Sequence, residues 1–125
     1  MKNSTLPLVY SCSGCSSAGQ AANDLAIDLH RGGLAEMSCI AGVGAGIPPF
    51  VKTARSGRPI LCIDGCRFRC ASACLKNAGV IPRWHFILTD MGIEKIQHGE
   101  CKPSDLMSLM DKLRSLVREA DSNVA

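Results

Sequence analysis

The chain has 125 residues, eight cysteines, 46 % hydrophobic and 20 % charged residues, and a formal net charge of +3. A chain of this length is expected to form a single domain over 1–125 and to bury roughly two thirds of its unfolded surface, so its core needs no cross-links. The cysteine content stays below the roughly 8–10 % of a short disulfide scaffold. The apolar content excludes a disordered chain, and 4 % aromatic residues argue against a stacking platform for single-stranded nucleic acid.

The start of the chain bears on the redox compartment. Its first ten residues carry one lysine and a short apolar run, Leu8, Val9 and Tyr10, whereas a secretory signal needs an apolar stretch of about 7–15 residues. The weakly polar stretch 40–51 is broken by three glycines and two prolines and cannot span a bilayer. The expectation is a cytoplasmic chain without membrane contact. Thiols stay reduced there, and clustered cysteines read as metal-binding or catalytic.

In chain order, residues 7–12 form a short apolar run that suits a buried strand. Helical spacing follows over 16–31, with Ala18, Ala22, Leu25, Ala26 and Leu29 on one face and Gly32 and Gly33 as the stop. Residues 34–41 are a second strand candidate, and 42–46 a glycine-rich turn. Pro48 and Pro49 open a short helix to about Ser56, since proline fits the first helical turn. Residues 59–63 are continuously apolar, as a central parallel strand should be. Asp64 and Gly65 make a turn, 66–77 reads as a helix stopped by Gly79, and 84–88 is the fourth strand. Leu106, Leu109, Met110, Leu113, Leu116 and Val117 line one face of a C-terminal amphipathic helix over about 103–120. The alternation predicts an α/β fold: a three-layer domain with a mainly parallel four-stranded sheet, order 2-1-3-4, and helices on both faces, Rossmann/flavodoxin-like. Ligands of such sheets sit outside the carboxyl ends of the strands, near the switch in strand order.

That edge collects the cysteines. Cys12 and Cys15 lie between the first strand and the first helix, Cys39 at the end of the second strand, Cys66 after the third, and Cys70 four residues on. In the 2-1-3-4 order Cys12 and Cys15 come beside Cys66 and Cys70. On a helix, residues four apart have Cβ atoms about 5–6 Å apart, close enough for two sulfurs to share a metal by leaning together. Cys74 lies a further turn away, about 12 Å from Cys66 at about 1.5 Å per residue. Cys62 fits a small core residue on a buried strand, and Cys74 and Cys101 read as packing or incidental.

Three of these segments look familiar: Cys-Ser-Gly-Cys-Ser at 12–16, Ser-Cys-Ile-Ala-Gly-Val-Gly at 38–44 and Ile-Asp-Gly-Cys with a further Cys-Ala at 63–71. They resemble the DGC-domain family of zinc-binding proteins, named for its central Asp-Gly-Cys, here Asp64, Gly65 and Cys66. The similarity runs over about 7–95 and includes 89–95. It implies a set of chelating cysteines and no assigned biochemical activity. The residues matching its motifs are Cys12, Cys39, Cys66 and Cys70, with Cys15 matching many members. Arg67 stands where members often carry proline, and Cys62 where an aliphatic residue is usual.

Other signals are weaker. The run from Gly42 to Gly46 lacks the spacing and the lysine of a phosphate loop, and reads as a tight turn near the metal edge. A cysteine-dependent phosphatase needs an arginine six residues after its thiolate, and positions 18, 45 and 72 are Ala, Ala and Ser. His30 reads as solvated and His85 as a hydrogen-bonded core residue. Asp64 reads as a helix cap, and Lys52, Arg55 and Arg58 as an exposed face. The modest charge gives no case for nucleic acid. The sequence therefore points to a metal ion, zinc, held by Cys12, Cys15, Cys39, Cys66 and Cys70, in a role of metal or sulfur handling or sensing. Two alternatives stay open: a thiol–disulfide or sulfur-transfer enzyme using Cys12 and Cys15, and an iron–sulfur protein on the same cysteines. The sequence leaves protein partners unknown.

Overall fold

The computed structural model describes residues 6–122. The expected domain over 1–125 thus includes short ends, 1–5 and 123–125, that lie outside the described residues, as does the first half of the apolar-poor N-terminal stretch. Four strands form the sheet: β1 (Leu8–Ser11), β2 (Glu36–Met37), β3 (Ile60–Asp64) and β4 (Trp84–Ile87). All pairs are parallel and the order is β2-β1-β3-β4, as the alternation predicts. β1 and β3 are buried along their whole length, which is why both read as unbroken apolar runs.

Successive side chains of these strands enter opposite cores. Val9, Leu61 and Ile63 face α1 (Ser17–Arg31) and α5 (Pro103–Ser122). Leu8, Tyr10, Ile60 and Cys62 face α2 (Ile40–Gly44), α3 (Pro48–Ala54) and α4 (Cys70–Asn77). The apolar stripe of α1 is buried as its spacing predicts, and Ser16 caps the helix by accepting the Gly19 N–H at 3.0 Å. Along α5, Leu109, Leu113 and Val117 pack on the same core, each such side chain contributing about 1.5–3 kcal/mol when fully buried. Arg114 Nε donates to Asp28 Oδ2 at 2.8 Å and pins α5 to α1. No described helix is long and apolar enough to cross a membrane.

The structure corrects four expectations. The second strand is shorter than 34–41, and the glycine-rich stretch after it is helical as far as Gly44, with only Ala45 and Gly46 in a turn. Its glycines serve close packing: a Cβ on Gly42 would sit 2.3 Å from the Phe50 ring, and one on Gly44 2.9 Å from Cys74 Sγ. Next, the helix expected over 66–77 begins only at Cys70. Residues 66–69 form a turn, closed by Arg69 N–H donating to the Cys66 carbonyl at 3.1 Å, and Arg69 adopts a left-handed φ of 53°. Finally, Arg58 leaves the exposed face expected for it. Its guanidinium bonds the Leu6 carbonyl at 2.8 Å and Glu36 at 3.4 Å, tying the approach to β1 onto β2.

Candidate metal centre

The chain leaves β1 for one face of the sheet, through α1, and leaves β3 for the other, through α4. The two strands are neighbours, so their carboxyl ends flank the crevice where strand order switches. Cys12 follows directly on β1, and Gly65 and Cys66 follow directly on β3. A hollow of about 220 Å³ opens between them, lined by Cys12, Cys15, Cys66 and Cys70 together with Phe68, Lys95 and Gln97. Four cysteines from two distant segments thus share one small space.

Each residue of the Asp-Gly-Cys turn has a separate task. Asp64, fully buried, reaches over the 66–69 turn to the start of α4. Its Oδ1 accepts the Ala71 N–H at 2.9 Å and its Oδ2 the Ser72 N–H at 3.3 Å. The cap expected of Asp64 is therefore present, although the helix it caps begins at Cys70. His85, on the neighbouring strand, closes the network through Nε2, 2.6 Å from Asp64 Oδ2, and is hydrogen-bonded as expected. Gly65 lies against α1, where an added Cβ would be 2.6 Å from the Ala18 carbonyl carbon. Only a residue without a side chain lets β3 end so close to that helix. Cys66 then turns into the hollow.

Three of the four sulfurs meet an N–H donor. The Gly65 N–H donates to Cys12 Sγ at 3.1 Å, Gln97 Nε2 to Cys15 Sγ at 3.0 Å, and Lys95 Nζ to Cys66 Sγ at 3.5 Å. Burial pushes the Cys12 thiol up to about 11; the Gly65 N–H opposes that shift, and the neighbouring Asp64, Cys70 and Cys66 add to it. Cys70 occupies the first position of α4 and is exposed.

Cys39 stands apart. Its Sγ accepts the Gly42 N–H at 3.3 Å and so caps α2. It lines a different hollow, of about 910 Å³, beside Met37 and Phe50. Cys62 is a core residue whose thiol burial pushes strongly up, Cys74 packs on Gly44 of α2, and Cys101 lies against the α1–α5 core. His30 is exposed, as expected, and its Nδ1 accepts the Met37 N–H at 3.0 Å.

Two donor sets differ in their fit to a metal. Among the described residues, the ligand atoms of Cys62, Asp64 and His85 lie within 4.8 Å of one another. The Asp64 oxygens of that trio already accept two backbone N–H groups and face His85. A metal there would displace the cap of α4. The four thiols of the hollow are the softer set and suit zinc or iron. No three of their sulfurs meet the 4.8 Å limit among the described residues, whereas a tetrahedral zinc site with bonds of about 2.3 Å brings sulfurs to about 3.8 Å. The 12–16 and 66–70 turns would have to draw together around the ion. Sequence reasoning missed the donors Lys95 and Gln97; the one signal near them was the family resemblance running through 89–95.

A switch-point cysteine hollow built on an Asp-Gly-Cys turn defines a class of protein. Residues 8–113 match the DGC domain, and the chain belongs to that family. It is 50 % identical over 112 residues to the anaerobic and virulence modulator AnvM of Pseudomonas aeruginosa, a stretch covering 90 % of this chain and 86 % of that protein. No solved structure matches it.

Proposed function

We propose that this chain is a cytoplasmic zinc protein that holds its ion through Cys12, Cys15, Cys66 and Cys70. The observation that carries the reading is the convergence of these four thiols on one hollow at the strand-order switch. Of the four ligands only Cys12 packs against the two apolar cores, so the ion clamps turns that the cores already hold and does not nucleate the fold as in a zinc finger. Cys39, in the other hollow, is outside the ligand set. The name of the relative, a modulator of anaerobic behaviour and virulence, favours sensing over bulk metal storage.

Elemental analysis of anaerobically purified protein, paired with a visible spectrum, tests this reading. About one zinc per chain and no visible absorption is the expected result. Charge-transfer bands would replace zinc by an iron–sulfur cluster on the same cysteines. Protein without stoichiometric metal would remove the reading.

The thiol–disulfide alternative draws on one observation: Cys12 and Cys15 lie between the end of β1 and the start of α1. The chemistry of Cys12 opposes it. The thiolate is the attacking species, and a thiol pushed up to about 11 is almost wholly protonated at neutral pH. A disulfide between Cys12 and Cys15 forming when metal-free protein meets oxidised glutathione would restore this alternative.

A further inference from the structure

The segment that follows the 3₁₀ turn (Leu88–Met91) carries two side-chain donors, Lys95 and Gln97, that line the hollow. Residues 94–98 run across the start of α1 and are fixed to it by four bonds. Ser17 N–H donates to the Ile96 carbonyl at 2.9 Å, and Ile96 N–H to Ser17 Oγ at 2.7 Å. Ser17 Oγ donates to the Glu94 carbonyl at 2.9 Å, and His98 N–H to the Cys15 carbonyl at 3.0 Å. Ser17 is fully buried, so these bonds are costly to break. From this anchored backbone Lys95 and Gln97 reach the hollow, one to Cys66 and the other to Cys15.

Lys95 has a second contact. Its ammonium lies 4.7 Å from the centroid of Phe68, in the turn between Cys66 and Cys70. Phe68 is 64 % exposed, and the Arg67 guanidinium also lies over its ring, 5.4 Å from the centroid. A cation over the face of an aromatic ring is attracted to it, and this contact holds the ammonium beside Cys66. One segment thus touches both cysteine turns: the first through Gln97 and the Cys15 carbonyl, the second through Lys95.

We propose that Lys95 and Gln97 are positioning residues that clasp the two cysteine turns together and draw electron density from the Cys66 and Cys15 sulfurs toward their N–H donors. This rests on the thiolate–metal reading above. Four thiolates around a divalent ion leave the site with excess negative charge, which the Lys95 ammonium offsets. Partners of this kind around metal ligands tune the metal and are worth about 10–100-fold in affinity, and hydrogen bonds to sulfur are a recognised lever on thiolate-bound metals.

The test uses the full chain, stripped of metal and reloaded anaerobically with Co(II) as a spectroscopic substitute for zinc. The wild type is expected to show sulfur-to-cobalt charge-transfer absorption in the near ultraviolet. Lys95→Met and Gln97→Leu should each move that band to longer wavelength and weaken Co(II) about tenfold in chelator competition. Lys95→Arg should restore both properties. Gln97→Glu, of the same size but presenting an acceptor to Cys15, should weaken binding further than Gln97→Leu. A merely structural role would leave the band in place. Variants with the wild-type band and affinity would overturn the clasp and leave the metal reading intact. A wild type with no cobalt–thiolate band would overturn both.

Discussion

His85 Nε2 lies 2.6 Å from Asp64 Oδ2 across the β3–β4 pair, while the same carboxylate accepts the N–H groups of Ala71 and Ser72. One buried side chain therefore joins the sheet to the helix that begins with Cys70. Asp64→Asn keeps the size but replaces one acceptor oxygen by an NH₂ group that must face donors. The expected loss is about 1.5–3 kcal/mol, because a charged hydrogen-bond acceptor is removed from a buried site. Urea unfolding of the metal-free protein measures it. His85→Gln, which can still donate, should lose less, and an unchanged midpoint in Asp64→Asn would deny the cap its weight.

Gly65 offers a steric test of the same turn. In Gly65→Ala the new Cβ would meet the Ala18 carbonyl carbon at 2.6 Å and its oxygen at 2.7 Å. Both atoms belong to the backbone of α1 and cannot swing aside. Overpacking of this kind typically costs about 1–3 kcal/mol, and here it also pushes Cys66 away from Cys12. Lower thermal stability together with lower metal occupancy is the expected pair of effects. A variant with normal stability and occupancy would show that the close approach is dispensable.

The thiol of Cys12 sets a pH dependence in metal-free protein. Burial raises it from 9.0 to about 11 in the folded state. Below about pH 9 the thiol is neutral in both states and this contribution to stability is fully present. Between about 9 and 11 the unfolded chain releases the proton first, so the folded state binds more protons and stability falls as pH rises, by at most about 2.7 kcal/mol across the window. Denaturant titrations at a series of pH values check the slope. Alkylation at pH 8 supplies a second reading, with Cys12 expected to react more slowly than the exposed Cys15 and Cys70. Equal rates would contradict the burial effect.

Because the two cores are built of apolar side chains and Cys12 is the one cysteine of the hollow that packs against them, removal of metal should loosen the cysteine turns without unfolding the chain. Chelated protein is expected to keep its far-ultraviolet dichroism and a cooperative melt. Restoring zinc at about a thousand times its dissociation constant should add about 4 kcal/mol and protect the 12–16 and 66–70 turns from proteolysis. Loss of secondary structure on chelation would mean that the ion nucleates the fold after all.

The fold was legible because burial leaves a plain signature. Unbroken apolar runs at 59–63 and the spacing of Ala18, Ala22, Leu25 and Leu29 locate β3 and α1, and the alternation of such elements yields the strand order. The juxtaposition of Cys12 with Cys66 follows from that order alone. Local geometry was less legible. The start of α4 is capped by Asp64 from across a turn, and no capping residue type stands next to Cys70 to mark it. The glycines of α2 look like a turn because packing against Phe50 and Cys74 is a tertiary requirement. With its strand shortened, Cys39 caps α2 through its sulfur and lines the second hollow. Lys95 and Gln97 reach their sulfurs only through the long-range bonds of Ser17, which no spacing rule reveals.

The proposed ligand set has four cysteines, without the fifth, sharing one metal. Zinc content per chain in anaerobically purified wild type, Cys66→Ser and Cys39→Ser decides it most directly. The expected values are about one for the wild type, a large loss in Cys66→Ser, and about one again in Cys39→Ser. A wild type without metal would rule out the site, and a Cys39→Ser protein that loses metal as fully as Cys66→Ser would place Cys39 among the ligands.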